Sequence, residues 1–242
     1  RDVDTLVRKF LKNPVTHSLE NEKSTAGRME HHVLIVEQRD KDQILQQIAA
    51  REGRTIMFVK TKHGADKLAD KLREQGVPAS VLHGGKTQSQ RTRVLEGFKL
   101  GHSTALIATD VAARGIHVDD VSLVVHVDPP QDHKDYLHRA GRTARAGATG
   151  TVVSIGTHKQ KKGIFGLALR AGVKLKESFV HPMHDDLVKI TGAQEPSGVP
   201  VVVHEPSPRR SERKSYDRDR KPRSDRPGDF PKRDRGPKKE FA

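Results

Sequence analysis

The chain has 242 residues, room for one compact domain and a further segment, and its formal charge of +14 points to a polyanionic partner such as nucleic acid. It contains no cysteine, which excludes disulfides and thiolate metal sites and fits a reducing, cytoplasmic setting. No apolar run approaches the roughly 18 residues of a membrane span, and no charged-then-apolar signal peptide opens the sequence.

In chain order, residues 1–12 read as a helix already under way and "NPVTHSL" as the start of a strand. The polar stretch "ENEKSTAGR" (20–28) then reads as a linker before "MEHHVLIVEQ", the pattern of a two-domain junction. Because it starts at Arg1 in mid-helix, the chain is expected to be a piece of something longer. Five short runs follow that are apolar without alternation: 55–59, 79–82, 104–108, 122–127 and 150–155. Such runs suit strands buried on both faces of a parallel sheet.

Helical patterns lie between the runs. Ala65, Leu68, Ala69 and Leu72 fall at i, i+3, i+4, i+7, and Gly76 followed by Pro78 ends that helix. A second helix runs from a Thr87 cap to Gly101 with Val94, Leu95 and Phe98 inward, and a third covers 158–172. The alternation predicts a three-layer α/β sandwich with a mostly parallel central sheet. After about residue 190 the pattern dissolves. From Pro206 onward there are six prolines and little to bury, which predicts disorder. Residues 207–242 hold 14 Lys and Arg against 7 Asp and Glu, so the tail is read as a nonspecific nucleic-acid tether.

Three places carry candidate chemistry. "DYLHRAGRTARAG" (135–147) spaces Arg139, Arg142 and Arg145 three apart, with Gly141 read as lying inside the helix at a cost of about 1 kcal/mol. Asp135 is the nearby carboxylate, and the next acidic residue after Arg145 is Glu177. Spacing alone leaves a solvated face and a phosphate site equally open. "SVLHGGKT" (80–87) ends like a phosphate-binding P-loop, but Ser80 stands where that loop needs its first glycine. A turn that lets a backbone phosphate approach Gly84 fits better. "LIATDVAARGIHVDDV" (106–121) leaves the sheet where α/β folds bind ligands. There Asp110 suits either a ribose hydroxyl or an N-cap role. His31, His32, His181 and His184 lack further ligands nearby, so no metal site is expected.

Taken together, "TIMFVKTK", "HGGKTQSQR", "ATDVAARGIHV" and "YLHRAGRTAR" resemble, in order and spacing across residues 30–156, the C-terminal half of the motor core of DEAD-box RNA helicases. The resemblance implies a RecA-like domain over 30–190. Residues 1–29 would be the end of a first RecA-like domain and the interdomain linker, and 191–242 a basic disordered tail. It also implies that Arg142 and Arg145 reach ATP held by the N-terminal RecA-like domain, which would hold most of the Mg²⁺ coordination as well. His138 would link the γ-phosphate region to that domain, and Asp110 would take the ribose hydroxyl, with Arg139 structural. RNA would be gripped through its phosphates by Thr61, Gly84, Arg91 and Thr109, without reading sequence, and Gln88 would brace Arg91. Gly85 and His117 stand where the family usually has Asp, which leaves those loops without a local carboxylate brace. A DNA translocase of the same superfamily and a non-catalytic nucleic-acid adaptor are the alternatives. The chain alone is expected to be inactive.

Overall fold

The computed structural model describes residues 7, 9, 10, 29–113, 118, 120–145 and 149–203. Of the expected first helix, residues 7, 9 and 10 are helical. The rest of it, the strand start in "NPVTHSL", the linker at 20–28, the loop 114–117 that includes His117 and the tail from 204 lie outside the described residues.

Seven strands form one all-parallel sheet in the order β3-β4-β2-β5-β6-β1-β7. They are β1 (Met29–Ile35), β2 (Arg54–Phe58), β3 (Ala79–Leu82), β4 (Ala105–Ala108), β5 (Val121–His126), β6 (Gly150–Gly156) and β7 (Lys176–Phe179). The connecting helices are α1 (Lys41–Ala49), α2 (Lys62–Glu74), α3 (Gln88–Lys99), α4 (Asp110–Ala113), α5 (His133–Ala140), α6 (His158–Arg170) and α7 (Asp185–Thr191). The five strands expected from apolar runs are present, with ends moved by a residue or so.

Alternate strand side chains feed two cores. Met57, Val59, Ile107 and Val125 pack with Leu45, Ile48, Leu68, Leu72 and Leu187 of α1, α2 and α7. On the other face Ile56, Phe58, Leu106 and Val124 meet Val94 and Phe98 of α3 and Tyr136 of α5. Burial on both faces explains why these strands show no polar alternation. Thr87 caps α3 in a full capping box with Gln90, as its spacing predicts. Gly76, at φ +88, lets the chain turn after α2. No helix among the described residues is long and apolar enough to cross a membrane.

Residues 192–203 form an irregular strap that is bonded to the body of the domain, beyond the boundary near 190 that composition suggests. Gln194 N–H donates to the Gln47 carbonyl at 3.0 Å, and Gln47 Nε2 donates to Glu195 at 2.8 Å. Gly198 and Val201 N–H groups bond the Gln75 and Arg73 carbonyls, each at 3.0 Å. Composition does not reveal this because the strap bonds mostly through its backbone, which leaves no apolar period in the sequence.

Candidate functional site

Helix α5 starts at Asp132, whose carboxylate caps the Asp135 N–H at 2.8 Å. It stops at Ala140. Gly141 is therefore the C-cap and not an interior residue, which corrects the reading of a continuous basic helix. The physical reason is a change of hydrogen-bond partner: the Arg142 N–H bonds the Arg139 carbonyl at 3.0 Å and Thr143 N–H the Ala140 carbonyl at 3.1 Å, turns tighter than α. Thr143 is then pinned through its hydroxyl to the Val121 carbonyl, and the buried Ala144 takes a left-handed φ of +55. That conformation is costly for a residue with a Cβ and needs support from its surroundings.

The three arginines have separate fates. Arg139 is 2% exposed and forks onto Asp110, Nε to Oδ1 at 2.6 Å and Nη2 to Oδ2 at 2.8 Å. Its Nη1 donates to the Asp128 carbonyl at 2.7 Å, and its guanidinium lies over the Phe58 ring at 5.2 Å. The carboxylate that the local sequence lacks comes from 29 residues away. Arg142 and Arg145 instead hook back on the end of α5, donating from Nε to the carbonyls of His138 and Gly141, each at 3.1 Å. Orphan carbonyls at a helix C-terminus favour such partners. Partial burial, and next the Arg145 charge, push the Arg142 pKa down. Arg142 and Arg145 thus add two guanidiniums to the C-terminal end of α5. His138 is exposed on the last turn of α5.

Thr61, Gly84 and Thr109 follow β2, β3 and β4, which are adjacent in the sheet, so their loops meet at its C-terminal end. Thr61 is exposed and caps α2, its hydroxyl accepting from the Gly64 N–H at 3.0 Å. Thr109 is buried, its N–H bonded to the Leu82 carbonyl at 3.2 Å. Arg91 donates to Gln88 at 3.3 Å, the expected brace, and to the Ala112 carbonyl at 3.2 Å, which ties α3 to α4. Its Nε is buried without a partner among the described residues. A Cβ on Gly84 would meet only ordinary contacts, 3.9 Å from Lys62 and Val111, so the protein's own packing does not demand glycine there.

The "GGKT" turn uses its amides internally. Gly85 N–H donates to His83 Nδ1 at 3.0 Å, Lys86 N–H to the His83 carbonyl at 3.1 Å and Thr87 N–H to Gln90 at 2.9 Å. Consecutive amides committed in this way do not converge on a triphosphate. Asp66, bonded to His83 Nε2 at 3.1 Å, braces the turn that lacks its own carboxylate.

Two features had no clear sequence signal. Asp128 accepts from the Lys60 N–H at 2.9 Å while its carbonyl takes Arg139, so it joins the β2 loop to α5. Its position after β5 and before Pro129 and Pro130 was the only hint. Beneath α5 lies a buried histidine pair. His31 bonds the Tyr136 hydroxyl at 3.0 Å and His126 bonds Ser154 at 3.2 Å, with Tyr136 edge-on to His126. Burial, then its neighbour His32, pulls the His31 pKa to about 4. Burial, then Arg139 and His31, pulls His126 well down too. The sequence had grouped His31 with His32, but His32 bonds Glu30 at 3.2 Å. No group of three His, Asp or Glu among the described residues could hold a metal ion.

Comparison with known proteins agrees with this geometry. The family of helicase conserved C-terminal domains matches residues 40–147. The chain is similar to DEAD-box ATP-dependent RNA helicase 30 of Arabidopsis thaliana, at 41% identity over 67% of this chain and 28% of that protein. It is similar in structure to S. cerevisiae Dbp5 bound to RNA and ADP BeF3, with TM-score 0.68, 29% identity and coverage of 79% and 51% of the two chains. It also resembles the E. coli DEAD-box protein SrmB bound to regulator of ribonuclease activity A, with TM-score 0.58, 32% identity and coverage of 65% and 93%. The chain thus spans little more than a quarter of its plant relative. With a parallel sheet, a basic turn after α5 and loops gathered at the strand ends, it belongs to the DEAD-box proteins and carries their C-terminal RecA-like helicase domain.

Proposed function

We propose that this chain is the second half of an ATP-dependent RNA helicase and supplies Arg142 and Arg145 to ATP held by a preceding RecA-like domain. Residues 1–29 would belong to the end of that domain and the linker, and the basic tail follows the strap. The observation that carries the reading is the Arg142–Arg145 pair, hooked by Nε onto the end of α5. Phosphoryl transfer spreads negative charge over the transferred group, and guanidiniums fixed in advance stabilise it without reorganising. Bound ATP supplies that phosphoryl group. His138, on the same turn, contacts the preceding domain. Asp110 spends one lone pair of each oxygen on Arg139 and uses another to accept from a ribose hydroxyl. Mg²⁺ belongs with the preceding domain.

Thr61, Gly84, Arg91 and Thr109 grip RNA phosphates, so binding is independent of sequence. The open face of Gly84 and the exposed Thr61 support this. A DNA translocase would share these contacts, and comparing RNA with DNA stimulation of the full-length protein separates the two.

In the full-length protein, Arg142→Ala lowers ATP turnover by on the order of 10² or more, with RNA affinity much less affected. Lysine rescues poorly because a point charge does not reproduce the planar fork. Turnover near the parent's level in Arg142→Ala would return these arginines to the solvated surface. Residues 1–242 alone show no RNA-stimulated hydrolysis. Turnover of that chain that survives Arg142→Ala but is lost in Lys86→Ala would make "GGKT" a working P-loop.

A further inference from the structure

We propose a second RNA contact, a base-stacking platform, at the opposite edge of the sheet, where the C-terminal ends of β7 and β1 and the start of α6 meet. It rests on the reading that the chain binds RNA, and it uses none of the residues assigned above. Phe179, the last residue of the edge strand β7, is 52% exposed. Its ring stacks with that of His158, the first residue of α6, at 5.2 Å between centroids and 26° between planes. The Lys161 ammonium lies over the same ring, 5.3 Å from its centroid. A single exposed apolar side chain is ordinary; Phe179, held under Lys161, backs the exposed His158 ring, and an ordered aromatic pair of this kind accepts another flat ring on its outer member.

The helix beside it is basic. Helix α6 contains Lys159, Lys161, Lys162 and Arg170 and no carboxylate. Lys161 is paired with Glu177 and Lys176 with Glu30. Lys159 and Lys162 are exposed, and neither has a carboxylate partner among the described residues. His158 and Lys162, four apart, share a helix face. Beside them opens a cleft of about 290 Å³ lined by Val36, Glu37, Gln38, Thr157, His158 and Lys159. Glu37 and Gln38 add hydrogen-bonding groups at the rim, as a nucleobase edge requires.

Stacking rings flanked by unpaired lysines form the arrangement by which single-stranded nucleic acid is held without regard to sequence. An acidic protein segment would need the lysines but not the stacked pair, so single-stranded RNA is the partner that uses both. The platform lies four strand spacings from β2 and six from β3, roughly 20–30 Å from the loops assigned to RNA phosphates. It would hold a single-stranded extension of the bound RNA.

The test measures binding of a labelled 20-nucleotide single-stranded RNA and of an abasic strand of equal length to the full chain over a range of salt. Phe179→Ala is expected to weaken RNA binding roughly 5-fold or more. It leaves the abasic strand unaffected, and Phe179→Tyr retains affinity. Lys159→Gln with Lys162→Gln, exposed changes that do not threaten folding, lowers the log–log salt slope by about 0.7 per lysine. RNA affinity within twofold in Phe179→Ala overturns the proposal, as does an equal loss on the abasic strand or an unchanged slope in the lysine pair. Unchanged RNA binding in every variant is also the result if the patch serves an acidic protein. Arg91→Ala separates the two readings. If it weakens binding while Phe179→Ala does not, only the platform fails; if it has no effect, the phosphate site fails.

Discussion

Acidifying the solution from pH 7.5 to pH 5 tests the buried histidine pair beneath α5. In the unfolded chain both histidines titrate near the ordinary value of about 6.5. In the folded chain His31 stays neutral down to about 4, and His126, fully enclosed beside Arg139, stays neutral as well. A histidine whose folded pKa is depressed leaves stability untouched above 6.5 and removes it as pH falls, because only the unfolded state then takes up the proton. His31 contributes a slope of about 1.4 kcal/mol per pH unit between 6.5 and about 4, so at pH 5 its loss is about 2 kcal/mol, and His126 adds to the loss in the same direction. The carboxylates with lowered values, Glu30 and Asp132, lose their contribution only below this window. Urea unfolding followed by far-UV circular dichroism at several pH values gives the slope. His126→Gln, which leaves His31 as the buried histidine of the pair, is expected to lower it. A slope below about 0.5 kcal/mol per unit between pH 6 and pH 5 would refute the account, since it would mean that protons reach these rings in the folded state.

Asp110→Ala removes the carboxylate from a guanidinium that is 2% exposed and is expected to cost about 3–5 kcal/mol, read as a lower denaturant midpoint; a loss under 1 kcal/mol would show that Arg139 finds another partner. Gly150→Ala drives a Cβ into the Thr143 hydroxyl and to 2.8 Å from the Ala144 backbone nitrogen. It should destabilise by about 1–3 kcal/mol and, in the full-length protein, reduce ATP turnover by displacing Arg145, so a calorimetric midpoint and turnover both at the parent's values would contradict it. Deleting 206–242 removes 14 basic residues and is expected to weaken RNA binding and flatten its salt dependence while leaving the unfolding midpoint in place. An unchanged slope would sink the tether reading.

What the sequence exposed and what it hid divide along physical lines. Strands β2 to β6 stood out because burial on both faces leaves uninterrupted apolar runs, and α2 because its four buried residues keep helical spacing. Helix α1 was missed although Ile44, Leu45, Ile48 and Ala49 show the same period, so its signal was present. Strand β7 gave none: "KESF" is a four-residue edge strand with one neighbour and little burial. At the site, the positions of Thr61, Gly84 and Thr109 after successive strands could be read from the alternation. The Asp110–Arg139 fork could not, because it joins residues 29 apart that meet only once β4 and α5 are packed. Gly141 misled for a related reason: glycine at a helix end and glycine inside a helix look alike until the hydrogen bonds are traced.

The strap at 192–203 bears on how this domain is made. Gln47 is fully buried in the first helix of the domain, and its side chain is met from positions 136 and 148 residues later, at Met183 and Glu195. During synthesis α1 leaves the ribosome long before those partners exist, and a buried amide without partners costs more than the bonds return. Contacts of such sequence separation close slowly and late. Until residue 195 has emerged, the nascent domain keeps an opening beside α1, and the strap that follows α7 is what seals it.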